Sequence, residues 1–111
     1  MVVGRRHPEE TDRVFHALAD ATRRDIVRTV LVEEHSVSAL ARRYPMSFAA
    51  VQKHVAVLEE AGLVTKQRRG RQCLVRGNIE RVRAARHALD AFEQLWRDRV
   101  EQMDRILAED P

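Results

Sequence analysis

The 111 residues hold one cysteine, Cys73, which excludes a disulfide within the chain. With only four glycines there is no glycine-rich phosphate loop, and no nucleophile stands at a recognisable spacing from a base, so an enzyme has no support. No apolar run approaches the roughly 18 residues of a membrane span. The opening MVVGRRHPEE carries no apolar stretch of the secretory kind, so a cytoplasmic protein with no membrane partner is expected. Internal repeats and low-complexity segments are also missing. The length suits one domain over residues 1–111, with residues 1–8 expected to be flexible.

Acidic residues are missing where bases are dense. The net charge is +3 and the pI about 9.7, and 18 of the 20 bases are arginine, a side chain suited to phosphate although an arginine bias can also reflect genome composition. From Ile79 onward eight acids face six bases, so the basic excess belongs to the first two thirds. Between Leu63 and Arg76 no acid occurs at all, while Lys66, Arg68, Arg69, Arg71 and Arg76 do. Two β-prone runs there, Leu63 to Gln67 and Gln72 to Val75, flank Arg68, Arg69, Gly70 and Arg71, which reads as a hairpin with a basic tip. Such a wing suits contact with phosphate or the minor groove, whereas an ordinary charge run is a solvated loop.

Just before it, SFAAVQKHVAVLEEAGLV reads as one amphipathic helix over residues 47–64. Ser47 can cap its first turn and Gly62 can end it in the left-handed conformation. Val51, Val55 and Leu58 form the apolar stripe, and Phe48, Gln52, Lys53 and Ala56 the opposite face. A face with Lys and Gln suits the major groove, where Lys donates to guanine and Gln pairs with adenine.

The remaining chain reads as helices. A first covers Glu9 to Ala19, with Val14, Phe15 and Leu18 on one side; Asp20 caps a second, Ala21 to Glu33, with Ile26, Val27, Val30 and Leu31 at helical spacing. Ser38 is expected to cap a third, Ala39 to Arg43, and Tyr44-Pro45-Met46-Ser47 then forms the turn of a helix-turn-helix. Asn78 can cap a last helix over residues 79–108, along which Val82, Ala85, Leu89, Phe92, Trp96, Met103 and Ile106 follow a 3/4 spacing. So long a stripe exceeds what a small domain covers, and it predicts packing on a second copy. The expected fold is mainly α with a small β-hairpin: a winged helix-turn-helix of five helices and a two-stranded wing, homodimeric through its first and last helices.

VFHALADATRRDIV, VSALARRYPMSFAAVQKHVAVLEEAGLV and the RRGRQ wing together resemble the ArsR/SmtB family of winged helix-turn-helix repressors, over Arg13 to Leu107. The resemblance implies a sequence-specific, homodimeric transcriptional regulator. It would bind a double-stranded operator near its own promoter, an inverted repeat by its dimer symmetry, and leave it on some inducing event whose ligand is unknown. Carried over by position, Ser47 would cap the helix and contact phosphate, Gln52 and Lys53 would face base edges, and His54 would bond to phosphate or neighbouring backbone. Phe48 and Ala49 depart from the family's usual residues, and Phe48 becomes available to a thymine methyl. With Lys66, Arg68, Arg69 and Arg71 these are the expected DNA-binding residues; Val14, Phe15, Leu89, Phe92, Trp96, Met103 and Ile106 are the expected dimer interface.

The family's metal sensors place Cys-x-Cys on the third helix or a set of His and Asp ligands on the last. Here Ala39 to Arg43 has no Cys or His, and the last helix offers only His87 with Asp90 and Glu93. No metal and no cofactor is therefore expected. The tail is similar to that of a subgroup without metal ligands. Three alternatives stay open: a metal-responsive sensor, a thiol-responsive one through Cys73, which otherwise fills a small core position, and a protein-interaction module built on the last helix.

Overall fold

Four of the helices in this chain begin where a side chain accepts from a free amide of the first turn. The protein, as a computed structural model, is described over residues 8–109. It runs α1 (Pro8–Leu18), α2 (Ala21–Val32), β1 (His35–Ser36), α3 (Val37–Ala41), α4 (Phe48–Glu60), β2 (Val64–Arg69), β3 (Gln72–Gly77) and α5 (Ile79–Glu109). The flexible segment expected over residues 1–8 lies outside the described residues except for Pro8, which opens α1.

Asp20 caps α2 by accepting from the Arg23 amide at 3.0 Å, and Ser47 caps α4 by accepting from the Ala50 amide at 3.1 Å. Asn78 caps α5 through Oδ1, which accepts from the Glu80 amide at 3.2 Å. The third helix is displaced from expectation. Ser36, not Ser38, accepts from the Ala39 amide, and the helix starts at Val37. The reason is burial: Val37 and Leu40, one turn apart, both enter the core only if Val37 is already helical.

The sheet also differs. Besides the hairpin of β2 and β3, the two-residue β1 pairs with β3, giving an antiparallel order β1-β3-β2 with Ser36 opposite Leu74. Two residues carry no periodicity, so β1 left no sequence signal. β2 runs on through Arg68 and Arg69, which reduces the tip to Gly70 and Arg71. Gly70 has φ +63°, the arrangement of a two-residue turn with glycine in its first central position.

The core joins Val14 and Ala17 of α1, Ile26, Val27 and Val30 of α2, Val37 and Leu40 of α3, and Val51, Val55 and Leu58 of α4 to Leu63, Val64 and Val75 at the sheet. α5 enters it only at its start, where Ala85 is buried and Val82 packs against the cluster. Arg81 there reaches Glu10 of α1 at 3.7 Å. Every residue from 89 to 109 is exposed, so the helix stands out from the body as an arm. The radius of gyration, 19.4 Å, records this; a compact chain of this length would have about 13 Å. Among the described residues no helix is long and apolar enough to cross a membrane.

α4 ends in a Schellman turn: the Gly62 amide donates to Glu59 O and the Leu63 amide to Leu58 O, both at 2.9 Å. Gly62 has φ +78°, and a Cβ there would lie 2.9 Å from Arg81 Cζ. Gly62→Ala should therefore cost about 1–2 kcal/mol in urea unfolding, from the left-handed backbone, and more if the guanidinium must shift. Gly70 has nothing within 4 Å of such a Cβ. Gly70→Asn should be close to neutral, since Asn tolerates that backbone; equal losses at the two sites would contradict this account.

The Arg23 amide bond holds the Asp20 carboxyl below its usual pKa, opposed by desolvation and aided by the charges of His54 and Arg23. A depressed value stabilises the fold above the unfolded pKa of about 3.9, and the effect is lost as pH falls through the folded value. Asn caps a helix about as well, so Asp20→Asn isolates the charge. Its stability deficit should hold from about pH 5 to 8 and shrink below about pH 4, measured by chemical unfolding; a deficit that grows on acidification would refute the assignment.

Candidate nucleic-acid interface

Burial of Val51, Val55 and Leu58 decides which side of α4 meets solvent. Ala49, Gln52, Lys53 and Ala56 are exposed on the outer side. The turn ahead of the helix is pinned from behind: the Tyr44 hydroxyl donates to Asp25 Oδ2 of α2 at 2.6 Å. Burial and then this bond push the Tyr44 pKa up. The pin lies 19 residues away along the chain, which is why the sequence did not reveal it.

The strand pairing sorts the wing's bases. Lys66 lies opposite Val75 and Arg68 opposite Cys73, and alternation puts these pairs on the face toward α4. Arg69 lies opposite Gln72 on the other face, and Arg71 is at the turn. Two bases are committed within the protein: Lys66 to Glu59 of α4 at 3.2 Å, and Arg76 to Glu34 at 3.3 Å. Arg68, Arg69 and Arg71 make no ion pair among the described residues and keep their charge available for an anion. An even basic tip, as the sequence suggested, is thus replaced by two arginines on opposite faces and one at the end.

Between α4 and the wing lies a cleft of about 360 Å³. Phe48 and Gln52 form one wall, Lys66, Arg68 and Arg71 the other, and Val37 and Val55 lie at its base. Cys73 also lines it, half-buried with a free thiol, so it is neither a closed core position nor a fully exposed one. Among the described residues no acid lines the cleft. Phe48 turns toward the wing rather than outward with Ala49 and Lys53.

His54 requires a correction. Its ring is turned toward α2, where Nδ1 lies 3.3 Å from Arg23 Nη1 and 3.9 Å from Asp20 Oδ2. Arg23 also donates to Ala17 O at 2.7 Å and to His16 O at 3.0 Å. One guanidinium therefore ties the end of α1 to α4. This role of Arg23 was not foreseen, because its partner on α4 is 31 residues on.

The expected interface residues fall into two groups. Val14 is 1% exposed inside its own protomer and has no surface left for a second copy, a second correction; Phe15, its neighbour, is exposed. Leu89, Phe92, Trp96, Met103 and Ile106 are each between 51% and 69% exposed on the arm, and Leu95, Leu107 and the less exposed Val100 occupy other positions of the same stripe. Arg99 lies over the Trp96 ring, 6.0 Å from its centre. Among the described residues no three His, Cys, Asp or Glu side chains converge as metal ligands. Glu93, one of the stripe with His87 and Asp90, bonds to Arg97 at 3.2 Å.

Comparison with known proteins agrees with this architecture. A family model described as a helix-turn-helix domain matches residues 18–67. The HTH-type transcriptional regulator Rv2034 of Mycobacterium tuberculosis is 38% identical over 81 residues, spanning 73% of this chain and 76% of that protein. An ArsR-like transcriptional regulator from Rhodococcus sp. RHA1 is 31% identical with a TM-score of 0.76, over 88% of this chain and 92% of that one. Mb0332 of Mycobacterium bovis, a homodimeric winged helix-turn-helix DNA-binding domain, is 25% identical with a TM-score of 0.64, over 85% of this chain and 94% of that one. With its helix-turn-helix, its basic wing and these relatives, the chain belongs to the ArsR family of winged helix-turn-helix transcriptional regulators.

Proposed function

We propose that this regulator acts in the cytoplasm as a homodimer that represses its own gene by binding an inverted-repeat operator, and that it responds to no metal and catalyses no reaction. The observation that carries the DNA half is the combination of an exposed Gln52 and Lys53 on α4 with Arg68, Arg69 and Arg71 beside them, which make no ion pair among the described residues. Helix and wing then divide the work: base edges for the first, phosphate for the second. Ser47 and Ala49, at the exposed start of α4, approach the backbone first. Two copies related by a twofold axis would read half-sites about 10 to 10.5 bp apart, or a small multiple.

The dimer half rests on the arm. An apolar stripe so exposed is larger than a monomer in water usually tolerates, and Mb0332, similar in fold, is described as homodimeric. We assign the interface to Phe15 together with Leu89, Phe92, Trp96, Met103 and Ile106. The lack of Cys and His on α3 and the isolation of His87 on α5 support the metal-independent reading.

A footprint on the DNA upstream of its own gene tests the whole proposal. Gln52→Ala or Lys53→Ala should cost about 1–3 kcal/mol on the protected site and relax base preference there. Arg71→Ala should weaken binding to every sequence and lower the slope of log K against log salt by about one. Equal losses for all three substitutions on operator and random DNA would overturn the division of labour.

Trp96→Asp should abolish the dimer seen by sedimentation at micromolar concentration and, with it, operator binding. A folded wild-type monomer under those conditions would remove the dimer from the proposal.

A further inference from the structure

The cleft between α4 and the wing has more than DNA requires. A duplex needs cations along the rim, and Arg68 and Arg71 supply them. Below that rim the cleft reaches the nearly buried Val37 and Val55, and the half-exposed ring of Phe48 forms an apolar side wall that phosphate contact does not require. The cleft is lined mainly by polar and charged groups with one exposed aromatic ring among them, and its volume of about 360 Å³ lies within the range that small-molecule sites occupy.

We propose that this cleft binds a small organic anion carrying an apolar ring, and that its occupant and operator DNA exclude one another. Charge complementarity selects the ligand class. Arg68 and Arg71 present positive charge with no acid among the described lining residues, while Lys66 is held by Glu59, so a carboxylate, sulfonate or phosphate group is favoured and a cation is rejected. Phe48 takes the ring, and Gln52 can hydrogen-bond a polar substituent. Exclusion follows from shared groups: Gln52, Arg68 and Arg71 serve the ligand and, on the DNA-binding reading above, the operator. Release then needs no relay from a distant site. A ligand bound only to the DNA-free protein at ten times its Kd raises the apparent operator Kd about tenfold.

The site is tested with 1-anilinonaphthalene-8-sulfonate, whose fluorescence rises in apolar surroundings, against the full chain without DNA. Arg68→Gln and Phe48→Ala should each weaken its binding about tenfold, the loss of one charge-assisted or stacking contact. Both side chains are exposed, and thermal melts confirm that the variants fold. Arg76→Gln, whose parent side chain is bound to Glu34 away from the cleft, should leave the probe unaffected. At ten times its Kd the probe should slow alkylation of Cys73 by iodoacetamide about tenfold, since only the unoccupied fraction reacts. N-phenyl-1-naphthylamine, the same rings without the sulfonate, should not protect. Unchanged binding in Arg68→Gln and Phe48→Ala would place the probe on the exposed stripe of α5 and overturn the site. So would an unprotected Cys73. Competition is measured separately on the footprinted operator, and simultaneous binding of probe and DNA would overturn the exclusion. The titration contains no DNA, so failure of the DNA-binding reading leaves its result intact.

Discussion

Everything in this molecule depends on the burial of one face of α4. Val51, Val55 and Leu58 are almost wholly removed from water, each worth about 1.5–3 kcal/mol relative to exposure. That constraint fixes the rotation of the helix about its axis, and the rotation decides that Gln52 and Lys53 face out. α3 supports it from behind through Val37 and Leu40, and the Tyr44 to Asp25 bond sets the angle of the turn between them. The functional face is the remainder of a packing problem solved on the other side.

The end of α4 is equally constrained. Once the helix closes at Gly62, Leu63 must return to Leu58 and the chain leaves directly into β2. Asn78 binds the junction from the far end of the hairpin, donating from Nδ2 to Gly62 O at 2.9 Å while its Oδ1 caps α5. Helix end, wing base and arm base therefore share one knot of hydrogen bonds, with Arg81 packed over Gly62 and joined to α1. The base of the wing is thereby joined to the end of α4, beside the cleft between them. The same knot places the root of the arm beside the end of α4.

The Asp20, Arg23 and His54 group plays the corresponding part at the other side of α4. Asp20 caps α2, and Arg23 spends its donors on two carbonyls at the end of α1 and on the ring of His54. A histidine that sequence resemblance would send to phosphate or to neighbouring backbone instead meets the side chains of Arg23 and Asp20. α1 and α4 are held by polar geometry as well as by apolar contact, and the pair α1 and α5 that would meet a second copy is linked to the reading helix at both ends.

What the sequence determined by itself is local. Caps at Asp20, Ser47 and Asn78, the stop at Gly62, the stripe of α4 and the length of α5 all arise from side chains within a turn or two of one another, and periodicity and capping preferences report such relations directly. The basic hairpin was legible for the same reason. Only the tertiary structure decided the rest. Val14 is a core residue rather than an interface one because α2 and α4 close over it; Ser36 rather than Ser38 starts α3 because Val37 must be buried; and β1 exists because the edge of β3 is there to receive it. The wing's bases part into Lys66 and Arg68 on one face, Arg69 on the other and Arg76 on Glu34, since strand register and the position of α4 assign each its surroundings. These are relations between residues far apart in the chain, and no local preference encodes a distance that only packing brings about.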